Sequence, residues 1–177
     1  MTIHATEPRP VPGGKGAGSA LAVREVSMSY RTPLGTVQAL DDVSLSVPAG
    51  GSLAIVGPSG CGKSTLLGLL GGLELPTSGE VQIGDTLVSA LPDQRRAGFR
   101  RRAIGFVFQA DNLQPFLTVT ENVGLQAVLS GLPDDPARTT ELLHALDVGA
   151  LAHRFPDQLS GGQRQRIAIA RELIRNA

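Results

Sequence analysis

The sequence predicts an α/β fold, and three observations carry that expectation. A wholly apolar tetrapeptide, Leu53-Ala54-Ile55-Val56, runs straight into a glycine-rich loop, Gly57-Pro58-Ser59-Gly60-Cys61-Gly62-Lys63-Ser64-Thr65. An unbroken apolar run of that length reads as a strand buried on both faces of a parallel sheet. Alternating segments precede it, and helix-start signals dominate the chain from Thr118 onward.

In chain order, Met1 to Ala20 is rich in Pro and Gly and lacks the apolar core of a signal peptide, so it reads as a flexible tail. Leu21 to Ser29 alternates partially, the pattern of a half-exposed strand. Val43-Ser44-Leu45-Ser46-Val47 alternates cleanly and stops at Pro48-Ala49-Gly50-Gly51, which predicts a short strand and hairpin over Val37 to Val47. Lys63 to Leu70 reads as helix, Glu80 to Val88 as a strand pair, and Ile104 to Phe108 as a second buried strand. Thr118-Val119-Thr120-Glu121 is a capping box opening a helix to about Leu129. Asp135-Pro136 opens another, to about Asp147, with Leu142, Leu143 and Leu146 on one face. Ser160 starts a final helix.

A length of 177 residues suits one domain with a real core, and 41% hydrophobic with 18% charged residues is the balance of a globular chain. Sixteen basic and sixteen acidic residues cancel, which removes any global electrostatic case for nucleic acid or an anionic membrane as partner. The basic run Arg95, Arg96, Arg100, Arg101 and Arg102 has no aromatic platform beside it and reads as a solvated helix face or an acidic-partner contact. The single cysteine, Cys61, cannot form an internal disulfide and fits a reducing compartment. No apolar stretch reaches the length of a membrane span, so a membrane role has to come through a partner chain.

The glycine loop matches G-x-x-x-x-G-K-[ST]. Gly57, Gly60 and Gly62 let the backbone curl with its N–H groups inward, and the following helix adds the positive end of its dipole. Together these hold the charge of a nucleotide triphosphate. Lys63 supplies a point charge for the β- and γ-phosphates, and the Ser64 hydroxyl suits Mg²⁺. Pro58, Ser59 and Cys61 complete the loop, with Cys61 at a position where a small residue is tolerated. Nearly a hundred residues later stands Leu159-Ser160-Gly161-Gly162-Gln163. Ser160 and Gln163 form an S-x-x-Q capping pattern, and Gly161 and Gly162 leave backbone N–H groups uncovered: a second anion site without the lysine.

With both motifs in this order, the chain resembles the nucleotide-binding subunit of an ATP-binding-cassette (ABC) transporter from about Leu21 to its last residue. The resemblance implies a P-loop NTPase core of the ABC ATPase type, with an N-terminal antiparallel β subdomain and a helical subdomain inserted at approximately 110–158. The ATP-binding domain is then 21–177, after a tail at 1–20. By the same resemblance ATP and Mg²⁺ are the cofactors, Thr65 helps with the α-phosphate, and Tyr30 stacks on adenine. Gln109 reaches the Mg²⁺ and the attacking water, so it joins Lys63 as a catalytic residue and Ser64 as a metal ligand. Ser160, Gly161, Gly162 and Gln163 close over the γ-phosphate held by a second copy in a head-to-tail dimer. A transmembrane permease is the other partner, which places the chain on the cytoplasmic face of the membrane.

The segments from Arg100 to Gln109, Leu117 to Val123 and Gly35 to Leu40 resemble the branch serving macrolide exporters and lipoprotein-release systems. Gly51 departs from the glutamate usual in the family. The chain reads as C-terminally truncated: its last residues, Arg175-Asn176-Ala177, precede the strand ending in Asp-Glu and the later histidine on which hydrolysis depends in the family. Weak ATP·Mg binding without family-rate turnover is the corresponding expectation. An importer ATPase of the nitrate, sulfonate or amino-acid type and a regulatory module acting on a membrane partner without transport stay open. A DNA-repair or translation protein of the family fits less well, since neither long insertions nor tandem cassettes are present.

Overall fold

The computed structural model describes residues 4–5, 9–10 and 19–176. The chain divides into two compact units, Met1–Gly98 and Phe99–Ala177.

In the first unit, β1 (His4–Ala5) and β2 (Arg9–Pro10) precede two long strands, β3 (Leu21–Thr32) and β4 (Gly35–Val47). These two form one antiparallel hairpin that turns at Pro33–Leu34 and pairs from Leu21↔Val47 to Thr32↔Gly35, with register shifts between Val23 and Ser29. The hairpin expected within Val37–Val47 is therefore displaced: that segment is one continuous strand, and the chain reverses before it. Pro33 and the fully exposed Leu34 supply the turn, while the Pro48–Gly51 turn ends the strand rather than folding it back.

After β5 (Gly51–Ser52) and β6 (Ile55–Val56) come helix α1 (Lys63–Leu70), β7 (Ser78–Ile83) and β8 (Thr86–Leu87). β7 and β8 are the strand pair expected at Glu80–Val88. The four-stranded sheet has the order β4-β3-β7-β8 with every pairing antiparallel. Leu66 and Leu69 of α1 pack with Val23, Val26, Leu40 and Val81 of the sheet, so sequence alternation on β3 and β7 becomes a core under one helix. Burying each such side chain is worth about 1.5–3 kcal/mol, which fixes α1, and hence the loop before it, against the sheet.

Two expected strands come out differently. Leu53–Val56 is not a central parallel strand buried on both faces. Only Gly51–Ser52 and Ile55–Val56 are strands, they pair antiparallel with Arg9–Pro10 and His4–Ala5, and Val56 is 53% exposed. An apolar run reports that a segment favours burial; the neighbours that would bury it lie elsewhere in sequence and cannot be read from it. Those pairings also take two pieces of the expected flexible tail into strands, while the rest of it as far as Gly18 lies outside the described residues. Ile104–Phe108 is no strand either. Its Phe106 amide donates to Glu172 Oε2 at 3.3 Å and its Ile104 carbonyl accepts from Arg175 Nη1 at 2.6 Å, so side chains take the place of a ladder. The Phe106 and Phe108 rings stack with centroids 5.5 Å apart.

Helix α2 (Asp93–Ala103) runs from the first unit into the second. Its basic run is not solvated throughout. Arg96 is buried, with Nη2 2.5 Å from Asp93 Oδ1 and Nη1 donating to the Leu91 carbonyl.

The second unit is helical: α3 (Val119–Leu129), α4 (Pro136–Ala145), two short 3-10 turns, α5 (Gly161–Leu173) and a last 3-10 turn at Ile174–Asn176. The Thr118 capping box forms as expected, with Glu121 Oε2 accepting from the Thr118 amide at 2.7 Å. That hydrogen bond holds the Glu121 carboxyl below its ordinary value of 4.5, with the Thr118 hydroxyl adding to the effect. Asp135 caps α4 by accepting from the Arg138 amide, with Pro136 at the first helical position. Val119, Val123, Leu142, Leu143, Ile167 and Ala170 interlock as the core between the three helices.

Candidate functional site

The glycine loop leads into α1 with Gly62 as its N-cap, at φ 89°, and no side chain caps the helix. Gly60 is also left-handed, at φ 76°, although a Cβ there would meet nothing within 4 Å. Backbone conformation, rather than crowding, therefore demands glycine at these positions. The first N–H groups of any helix lack intrahelical acceptors, and among the described residues no side-chain cap takes them up here. Lys63 folds back over the loop: its ammonium donates to the Gly57 carbonyl at 2.9 Å and to the Pro58 carbonyl at 2.6 Å, with Cys61 Sγ at 3.7 Å. Uncapped amides and a lysine held by neutral carbonyls form a donor-only set, which suits an anion of the size and charge of a phosphate chain.

Tyr30, on β3, lies in the same unit. Its phenol donates to Glu74 Oε2 at 2.6 Å. The carboxylate of Glu74 raises the phenol above its ordinary pKa of 10.0, and the Thr65 hydroxyl works in the opposite direction.

Gln109, Ser160, Gly161, Gly162 and Gln163 belong to the second unit. Ser160 is the N-cap of α5: its hydroxyl accepts from the Gln163 amide at 3.3 Å, and Gln163 Oε1 accepts from the Ser160 amide at 2.8 Å. The box is complete. A Cβ at Gly162 would meet nothing within 4 Å, and one at Gly161 only the tip of Arg164 at 4.0 Å, so the first turn of α5 is open to an approaching group.

Sequence reasoning passed over the residues that hold the segment after Gln109. Arg164 Nε donates to Asp111 Oδ2 at 2.8 Å, and Arg171 donates to the Asn112 and Asp111 carbonyls at 2.7 and 3.1 Å. Asn112 takes φ 51°, a conformation that asparagine tolerates better than most residues. Buried Asn122 then accepts from the Gln114 amide and donates to the Gln114, Leu117 and Thr118 carbonyls. The available signal was the seven-residue spacing of Arg164 and Arg171, which puts both on one face of α5. Nothing in the sequence said what that face meets.

The family model for ABC transporters matches residues 40–177. The chain belongs to the ABC transporter family. Similar to it are lipoprotein-releasing system ATP-binding protein LolD 1 of Rhodopirellula baltica, 47% identical over 156 residues and 87% of this chain, and LolD of Xanthomonas axonopodis pv. citri, 46% identical over 158 residues and 88% of it. An uncharacterized ABC transporter ATP-binding protein of Thermotoga maritima is 50% identical over 139 residues and 77% of this chain. The chain spans 68%, 62% and 59% of the lengths of these three relatives. Among solved structures, the ATP-binding cassette MJ0796, dimeric and bound to ADP and Pi in a post-hydrolysis state, superposes with a TM-score of 0.75 at 36% identity, covering 88% of this chain and 70% of that one. The fold is accordingly that of an ABC ATPase cassette, α/β with an antiparallel sheet beside the glycine loop, and the family binds nucleotide. Among the described residues no helix is long and apolar enough to cross a membrane, and no group of three or more His, Cys, Asp or Glu side chains is arranged to hold a metal ion.

Proposed function

We propose that this chain is the ATP-binding part of an ABC transporter of the lipoprotein-release type, with its ATP-binding domain at 21–177 and a helical subdomain at approximately 110–158. The observation that carries this reading is the 47% identity over 156 residues to a lipoprotein-releasing system ATP-binding protein.

Gly57, Pro58, Ser59, Gly60, Cys61 and Gly62 wrap the phosphates with backbone amides, and Lys63 leaves its carbonyl partners to meet the β- and γ-phosphates. Ser64 and Gln109 offer a hydroxyl and an amide oxygen to Mg²⁺, a small share of its shell that suits an ion arriving with its nucleotide. The donor-only character of the loop fits that charge. Tyr30 stacks on adenine, and Thr65 helps with the α-phosphate.

Ser160, Gly161, Gly162 and Gln163 act on the γ-phosphate held by a second copy. Support comes from the open first turn of α5 and from the dimeric state of the related cassette. Gln109 positions the attacking water, so that ATP hydrolysis at the dimer interface drives a membrane permease. The chain then sits at the cytoplasmic face of the membrane, bound through the permease. Neither the balanced net charge nor the fold calls for nucleic acid.

The test is reconstitution in vesicles of the protein with a candidate permease of the lipoprotein-release type. ATP-dependent release of a lipid-anchored protein is the expected result. Uptake of a small solute instead would favour an importer, and nucleotide binding with no movement of any cargo would favour a regulatory module.

A further inference from the structure

Two side chains from separate elements meet in one hydrogen bond in the first unit. Tyr30 stands near the end of β3 and Glu74 in the connection between α1 and β7. The phenol proton goes to Glu74 Oε2 at 2.6 Å, a short, charge-assisted hydrogen bond. Glu74 is itself set over α1, where a Cβ on Gly68 would lie 3.5 Å from its Oε1.

A ring held only by its Cα–Cβ bond is free to turn. One fixed at its far end by a carboxylate is oriented before any ligand arrives, and that ordering no longer subtracts from binding. We propose that Glu74 is a positioning residue for the nucleotide base, which locks the Tyr30 ring through its hydroxyl. Glu74 touches neither base nor phosphate in this scheme and acts through Tyr30 alone. The proposal rests on the stacking role given to Tyr30 above.

Mg·ATP and Mg·tripolyphosphate, the second lacking any base, are titrated into the full 177-residue chain and five variants. Tyr30→Phe and Glu74→Ala each weaken ATP binding by about three- to tenfold, and the double variant is no worse than either single one. Glu74→Gln, which keeps an acceptor oxygen, binds ATP close to the unaltered chain. Tripolyphosphate affinity stays the same throughout. If Tyr30→Ala weakens ATP binding while Tyr30→Phe and Glu74→Ala do not, the ring stacks without being held and the role of Glu74 is overturned. If Tyr30→Ala leaves ATP binding unchanged, the stacking role falls and the positioning role with it. Parallel losses for ATP and tripolyphosphate would mean that Glu74 supports the fold, which also overturns the proposal.

Discussion

The two glycine-bearing helix starts of this chain look alike in sequence and are built in opposite ways. At α1 the N-cap is Gly62, left-handed and without a side-chain cap, and the charge beside it is a lysine held by neutral carbonyls. At α5 the N-cap is Ser160, closed by a reciprocal box with Gln163, with no lysine in the turn. An uncapped start leaves its amides unsatisfied until an anion arrives, so ligand and helix complete one another. A capped start is stable by itself and presents only its outermost amides. The first is suited to holding a phosphate chain, the second to touching one that something else holds.

That contrast yields predictions of decreasing size. Leu143 is buried in the core of the second unit, and Leu143→Ala should cost about 2–5 kcal/mol of stability in chemical denaturation. Because α1 and its loop pack in a separate core, ATP affinity of the folded fraction should be unaltered. A matching loss of affinity would break the separation of the two starts. Ser160→Ala should destabilise by about 0.5–2 kcal/mol, measured by the same unfolding curve. No loss at all would mean that the cap is dispensable and that the two starts are more alike than the hydrogen bonds indicate.

The smallest effect concerns pH. Glu121 has its folded-state pKa lowered by the Thr118 capping box, so its contribution is present above its ordinary value of 4.5 and is lost as pH falls through the lower folded value. Thermal melts between neutral pH and the acid limb should show the unaltered chain losing stability relative to Glu121→Gln below about pH 4.5. Parallel curves would remove the carboxylate from the cap.

Much of this was legible in the sequence because the signals were local. Thr118 and Glu121, Asp135 and Pro136, and Ser160 and Gln163 each cap a helix over three or four residues, a range within which spacing and geometry are nearly the same thing. The glycine loop was legible for the same reason. What failed depended on distant partners. Leu53–Val56 and Ile104–Phe108 carry strand-like residues, but what they pair with was not encoded beside them. The ties of Tyr30 to Glu74 and of Arg164 to Asp111 join residues 44 and 53 positions apart, and no periodicity announces either.

The most direct test sets the two helix starts against one another. Mg·ATP is titrated into dilute, monomeric Lys63→Ala and Ser160→Ala variants beside the unaltered chain. Loss of the Lys63 ammonium should weaken ATP binding by about 10- to 100-fold, while Ser160→Ala binds as the unaltered chain does, because its turn acts only on nucleotide held by a second copy. Equal losses in the two variants, or a larger loss from Ser160→Ala, would contradict the account.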